Sequence, residues 1–175
     1  ETVTVPSDGV IALDLGGKSI SQAAETDNAP VTVLGSLTLS TNGTIGTEDA
    51  KADDPNKVGV LVNGAAAKLT VNAGLIAGSE SAVALTAGGS FTMEGTTTGE
   101  LRSGAAGIDI YDSTNSTKSA NAAEEDTSAI AAFTSFMSGF FAPQGELSPL
   151  ASNSKVTLSG GEIVGSPVIK VAEGV

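Results

Sequence analysis

The sequence predicts an all-β domain wound as a three-sided parallel β-helix of about five coils, and three observations carry that expectation. A short phrase returns five times: Leu13-Asp14-Leu15-Gly16-Gly17-Lys18-Ser19-Ile20, Leu37 to Ile45, Leu69 to Ile76, Phe91 to Leu101, and Val156 to Ile163. Each copy is an apolar–polar–apolar triplet, a glycine-containing bend and one more branched or leucyl residue. Between the copies stand alternating apolar pairs: Val3/Val5, Val31/Val33, Val60/Val62, Val83/Leu85, Ile108/Ile110 and Ile169/Val171. The first members of these pairs lie 28, 29, 23 and 25 positions apart, then 61. Periods of this length mark units that cannot bury an apolar face alone and must stack on one another.

The local stereochemistry agrees. Alternation with period two turns one side of a short strand inward and the other to solvent. Glycine a few residues later lets the chain bend where a Cβ would be strained. One unit is therefore strand, bend, strand, glycine bend, strand. The expected inward ladders are the six alternating pairs, then Leu13, Leu37, Leu69, Phe91 and Val156, then Ile20, Ile45, Ile76, Leu101 and Ile163. A β-sandwich also has many short strands, but it has no reason to repeat the whole triplet in phase.

In chain order, the first coil turns at Pro6-Ser7-Asp8-Gly9 and ends in the loop Ala23–Pro30. The second ends in a longer acidic loop, Glu48–Lys57. The third and fourth turn tightly at Gly78-Ser79-Glu80 and Gly104-Ala105-Ala106-Gly107. An insertion, residues 113–153, interrupts the fifth after Ile110. Within it Ile130, Phe133, Phe136, Met137, Phe140 and Phe141 recur at helical spacing behind Glu124-Glu125-Asp126, which predicts a short helix over about 127–141. Such a Phe face packs on its own domain or docks on a neighbouring subunit.

The run Val10 to Ile20 resembles the opening coil of pectate-lyase-like right-handed β-helix modules in bacterial surface proteins, and the later Leu-Thr-Val-x-x-Gly-x-Ile phrases are similar to their inner coils. The likeness spans most of the chain outside 113–153 and implies a right-handed winding. That superfamily includes lyases, hydrolases, adhesins and structural fibres, so the resemblance implies no single activity.

The chain reads as one domain, residues 1–175. Its 8 basic and 20 acidic residues leave a net charge of −12, which disfavours nucleic acid and anionic lipid as partners. No segment has the roughly 18–20 consecutive apolar residues of a membrane-spanning helix. The chain starts at Glu1 with neither an initiator Met nor an apolar leader, and so reads as a mature secreted product of the extracellular space or cell surface.

Chemistry is sparse. With no His and no Cys, nucleophilic catalysis of the Ser-His-Asp or Cys-His kind is absent, as are the usual zinc sites. Asp109 and Asp112 flank the single tyrosine, Tyr111, without the longer motif of a carboxylate hydrolase. A lyase would need a base, and the single arginine, Arg102, stands beside Glu100 as a surface pair. No cofactor is expected. Calcium is the one ligand with candidates, Glu48, Asp49, Asp53 and Asp54, but their spacing is not that of an EF-hand and reads first as a solvated acidic loop.

The expectation is therefore a non-enzymatic extracellular structural subunit that assembles with itself into a filament or matrix. Val3 and Val5 at one end, Ile169 and Val171 at the other, and Phe133, Phe136 and Phe140 of the insertion are the expected interface. The alternative is a carbohydrate-binding or adhesin module with a polysaccharide partner, although the chain has no Trp to stack on sugars.

Overall fold

The computed structural model describes residues 2–22, 29–50, 55–111 and 154–172. These are all-β, with no helix among the described residues and hence none long and apolar enough to cross a membrane. The strands are β1 Val3–Val5, β2 Val10–Leu13, β3 Ser19–Ile20, β4 Val31–Val33, β5 Ser36–Leu39, β6 Thr44–Ile45 and β7 Val58–Asn63. They continue as β8 Lys68–Gly78, β9 Ser81–Thr86, β10 Ser90–Ser103, β11 Ala106–Ile110, β12 Lys155–Leu158, β13 Glu162–Val164 and β14 Ile169–Val171.

The pairings are parallel and fall into three rows. One sheet runs β1-β4-β7-β9-β11-β14, and its register places Val3, Val31, Val60, Val83, Ile108 and Ile169 opposite one another in succession. A second runs β2-β5-β8-β10-β12, through Ile11, Leu37, Leu69, Phe91 and Val156. The third row joins β3, β6, the later halves of β8 and β10, and β13, through Ile20, Ile45, Ile76, Leu101 and Ile163.

All three rows feed one hydrophobic core, in which Val33, Leu37 and Ile45 belong to the same cluster as Val83, Phe91 and Leu101. Branched and leucyl side chains suit these positions because they fill a pleated, stacked surface with little rotamer freedom to lose. Each fully buried Val, Leu, Ile or Phe contributes about 1.5–3 kcal/mol of transfer free energy. Burial is graded along the rows. Every residue of β9, near the middle, is buried, whereas all of β14, at the end, are exposed.

Two differences from the sequence reading have physical causes. First, Leu37 faces Ile11 and not Leu13, which pairs with Leu39. The first copy of the phrase is thus displaced by two residues. A displacement of two preserves the inward–outward alternation, whereas a displacement of one would invert it, so the pattern alone is blind to this slip. Secondly, β8 and β10 run unbroken through the glycine bend, 11 and 14 residues long, where separate short strands are expected. Gly74 has φ +91° and faces Gly99 in the ladder. A Cβ on Gly74 would lie 2.9 Å from the Thr41 carbonyl oxygen. Glycine therefore lets β8 change direction there, whereas β10 takes up extra residues at the bend, its register against β8 shifting between Met93 and Thr98. The 113–153 insertion and its expected helix lie outside the described residues.

Leu69, 1% exposed, sits between Leu37 and Phe91 in the second row. Leu69→Ala is expected to lower the unfolding free energy by about 2–5 kcal/mol in urea titrations followed by circular dichroism. Leu69→Asp, which places an unpaired charge in that column, is expected not to fold. A soluble, cooperatively folded Leu69→Asp protein would contradict the register.

Candidate functional site

Polar side chains gather where successive turns of the chain meet. Asn56 is fully buried. Its Oδ1 accepts from the Gln22 backbone N–H at 2.7 Å, and its Nδ2 donates to Thr47 Oγ1 at 2.7 Å. Its backbone carbonyl accepts from the Ser79 N–H. One asparagine thus ties together the ends of three successive units. A buried amide with all these partners is structural, since leaving any of them unpaired costs about 1–3 kcal/mol.

The expected calcium loop is only partly within reach. Glu48 and Asp49 are exposed, while Asp53 and Asp54 lie outside the described residues. Among the described residues no three acidic groups converge as a metal site would require. Arg102 crosses to this loop, with Nη1 donating to the Glu48 carbonyl at 3.0 Å. Its Nε and Nη2 both donate to Glu100 Oε1, at 3.0 and 2.5 Å. Both side chains are about a third exposed, 35% and 28%. Arg102 is therefore a partnered surface cation that pins a loop, as the sequence indicates.

Glu100 and Glu162 stand opposite each other on β10 and β13. With Thr98, Gly99 and Gly161 they line an open cleft of about 320 Å³. Like charges facing each other across a sheet repel, and Arg102 offsets this on the Glu100 side. The pairing follows from the expected ladder that sets Leu101 beside Ile163, since Glu100 and Glu162 are the residues just before them.

Asp109 and Tyr111 do not join Arg102. They lie in and just after β11, in the first sheet, whereas Arg102 belongs to the third row. Asp112 lies outside the described residues. Burial pushes the Tyr111 phenol above its ordinary value near 10, with further upward pressure from the Asp109 and Glu80 carboxylates. A raised folded pKa contributes stability that is fully present below about pH 10 and is lost as pH rises through the folded pKa. Because Tyr111 is the single tyrosine, tyrosinate absorbance reads it directly. Its midpoint is expected above that of the urea-unfolded chain, and Tyr111→Phe is expected to lessen the loss of thermal stability above pH 10. Coincident folded and unfolded midpoints would contradict this environment.

The chemically distinctive surfaces are apolar. Among the described residues eight large hydrophobic side chains are exposed, and each lies in or beside the first or last strands of the three rows. Val3 (47%), Val10 (86%) and Ile11 (39%) are at one end; Leu158, Val164, Val168, Ile169 and Val171, 37–45% exposed, are at the other. Of the expected interface, Val3, Ile169 and Val171 are exposed, while Val5 is buried at 2%. Phe133, Phe136 and Phe140 lie outside the described residues. Val10, Ile11, Leu158, Val164 and Val168 were not singled out in the sequence. Three of them carry a usable signal, since Ile11, Leu158 and Val164 belong to or adjoin the first and last copies of the repeat. Comparison of the chain with protein-family models, with curated proteins and with solved structures finds no match.

Proposed function

We propose that the chain is a right-handed, three-sided parallel β-helix that serves as a non-enzymatic structural subunit outside the cell, associating with copies of itself through its first and last coils. The observation that carries this reading is that, among the described residues, all eight exposed large hydrophobics lie in those coils. Rows of equivalent positions, a shared core and unit lengths of 23–29 residues support the helical winding. The right hand follows the general preference of parallel crossover connections.

The ends differ from the sides in a way that favours axial contact. Each terminal strand, β1 and β14, has one strand neighbour among the described residues. Its other edge carries backbone groups that a further parallel strand would satisfy. A net charge of −12 opposes indiscriminate side-by-side packing, so apolar ends on an acidic body favour end-to-end growth. Such a contact is heterologous and propagates unless it closes into a ring.

Carbohydrate binding is a second reading with one observation on its side, the open cleft edged by Glu100 and Glu162. Its polar floor could take sugar hydroxyls, but it has no aromatic platform.

Sedimentation velocity and negative-stain microscopy across a concentration series test assembly. The protein is expected to form linear polymers, and the double variant Ile169→Lys/Val171→Lys is expected to stay monomeric with an unchanged far-ultraviolet spectrum. A wild-type protein that remains monomeric at high concentration would overturn the reading. Incubation with acidic polysaccharides, with and without calcium, is expected to release neither reducing ends nor unsaturated sugars. Release that disappears in Arg102→Ala or Asp109→Ala would make the chain an enzyme.

A further inference from the structure

Asn-Gly occurs twice in the chain, at Asn42-Gly43 and at Asn63-Gly64. The dipeptide is chemically labile in water. The glycine backbone nitrogen, unhindered by a side chain, attacks the asparagine Cγ, and its proton departs with the amide as ammonia. Water then opens the succinimide ring that forms. Opening at Cγ gives aspartate. Opening at the main-chain carbonyl gives isoaspartate, whose backbone runs through Cβ and Cγ and is one carbon longer. The attack needs a glycine N–H that is not held by an acceptor and an asparagine side chain free to fold back onto it. A fold can therefore protect one such pair and leave another open.

The two pairs stand in different surroundings. Asn63 is the last residue of β7, half-buried and opposite Thr86 in β9. The Gly64 N–H donates to the Thr86 carbonyl at 3.0 Å, so the attacking nitrogen is engaged. Asn42 is exposed and lies in the bend between β5 and β6, outside both strands. Among the described residues the Gly43 N–H donates to no backbone carbonyl. Asp8-Gly9, where an aspartate could cyclise with loss of water, is held as Asn63 is, with the Gly9 N–H donating to the Pro6 carbonyl at 2.8 Å.

We infer that Asn42 is a site of spontaneous covalent modification, where deamidation through a succinimide lengthens the main chain and loosens the third row. The fold itself requires the residue that makes this site labile. Gly43 has φ +152°, and a Cβ on it would overlap the Leu15 side chain and lie 2.8 Å from the Lys18 carbonyl oxygen. The bend is also where added length is felt. The Asn42 carbonyl accepts from the Gly17 N–H and the Gly43 carbonyl from the Leu75 N–H, each at 2.8 Å, which ties the second unit to the first and the third. Thr44 and Ile45 follow at once, paired with Ser19 and Ile20 on one side and with Leu75 and Ile76 on the other. An extra main-chain carbon moves these groups out of step. The new carboxylate also stands next to Thr41, whose hydroxyl already donates to Asp14.

Peptide mapping by mass spectrometry, on folded protein held at mildly alkaline pH and sampled over days, tests the assignment. The peptide carrying Asn42 is expected to convert roughly tenfold faster than the one carrying Asn63, the factor expected when one hydrogen bond must open before attack. In the urea-unfolded chain the two are expected to convert at similar rates. Equal rates in the folded protein, or the same preference for Asn42 in the unfolded chain, would overturn the assignment. The consequence is read in urea titrations. Aged wild-type protein is expected to unfold at lower urea than fresh protein, while Asn42→Gln aged beside it keeps its midpoint. Asn42→Asp, which carries the charge on a main chain of ordinary length, is expected to match fresh wild type. A midpoint as low as that of the aged protein would refute lengthening as the cause, and an unchanged midpoint in converted wild type would refute the loosening.

Discussion

Parallel, in-register stacking of like side chains is the constraint on which the rest of this structure depends. Ile45 has a place because Ile20 lies on one side of it and Ile76 on the other, and the same holds for Leu69 between Leu37 and Phe91. No single unit contains enough apolar surface to enclose itself, so each unit's core is completed by its neighbours. Backbone pairing and side-chain burial are then one requirement, because a slipped strand would lose its ladder and turn its apolar face outward. Bends must obey the same register. Glycines at 74 and 99 face each other where the two long strands bend, since a Cβ at 74 would meet the Thr41 carbonyl oxygen and one at 99 the Val71 side chain.

That constraint also explains where the structure is unsatisfied. Middle strands such as β9 have a partner on both sides and bury every residue. Among the described residues β1 and β14 have one partner each, and residues such as Ile169 and Val171, which by alternation belong inside, stand 37% and 44% exposed. The polar chemistry, by contrast, is consumed internally. Asn56 joins three units, and Arg102 is divided between Glu100 and the Glu48 carbonyl. The proposed role as a self-associating subunit therefore rests on the ends of the rows.

Much of this was legible in the sequence because stacking writes itself as periodicity. The first and third rows can be read residue for residue, from Val3 to Ile169 and from Ile20 to Ile163. The second row was legible except at its start, where Leu13 stood in for Ile11 because both satisfy the same alternation. Asn56 left no trace, since its partner Gln22 is 34 residues away and neither residue belongs to the repeat. The Glu100–Glu162 pairing was implicit in the third row, which sets Leu101 beside Ile163 across the insertion. The calcium candidates Asp53 and Asp54, together with Asp112 and the Phe-bearing segment, lie outside the described residues and stay as sequence readings.

The central claim is that parallel strands stack in register around one core and that copies of the chain join along the same stacking direction. Fibre diffraction or electron cryomicroscopy of the assembled protein tests this most directly. The account predicts polymers with strands perpendicular to the long axis and spaced about 4.8 Å apart along it. Strands lying along the axis, or a protein that stays monomeric at every concentration, would contradict it.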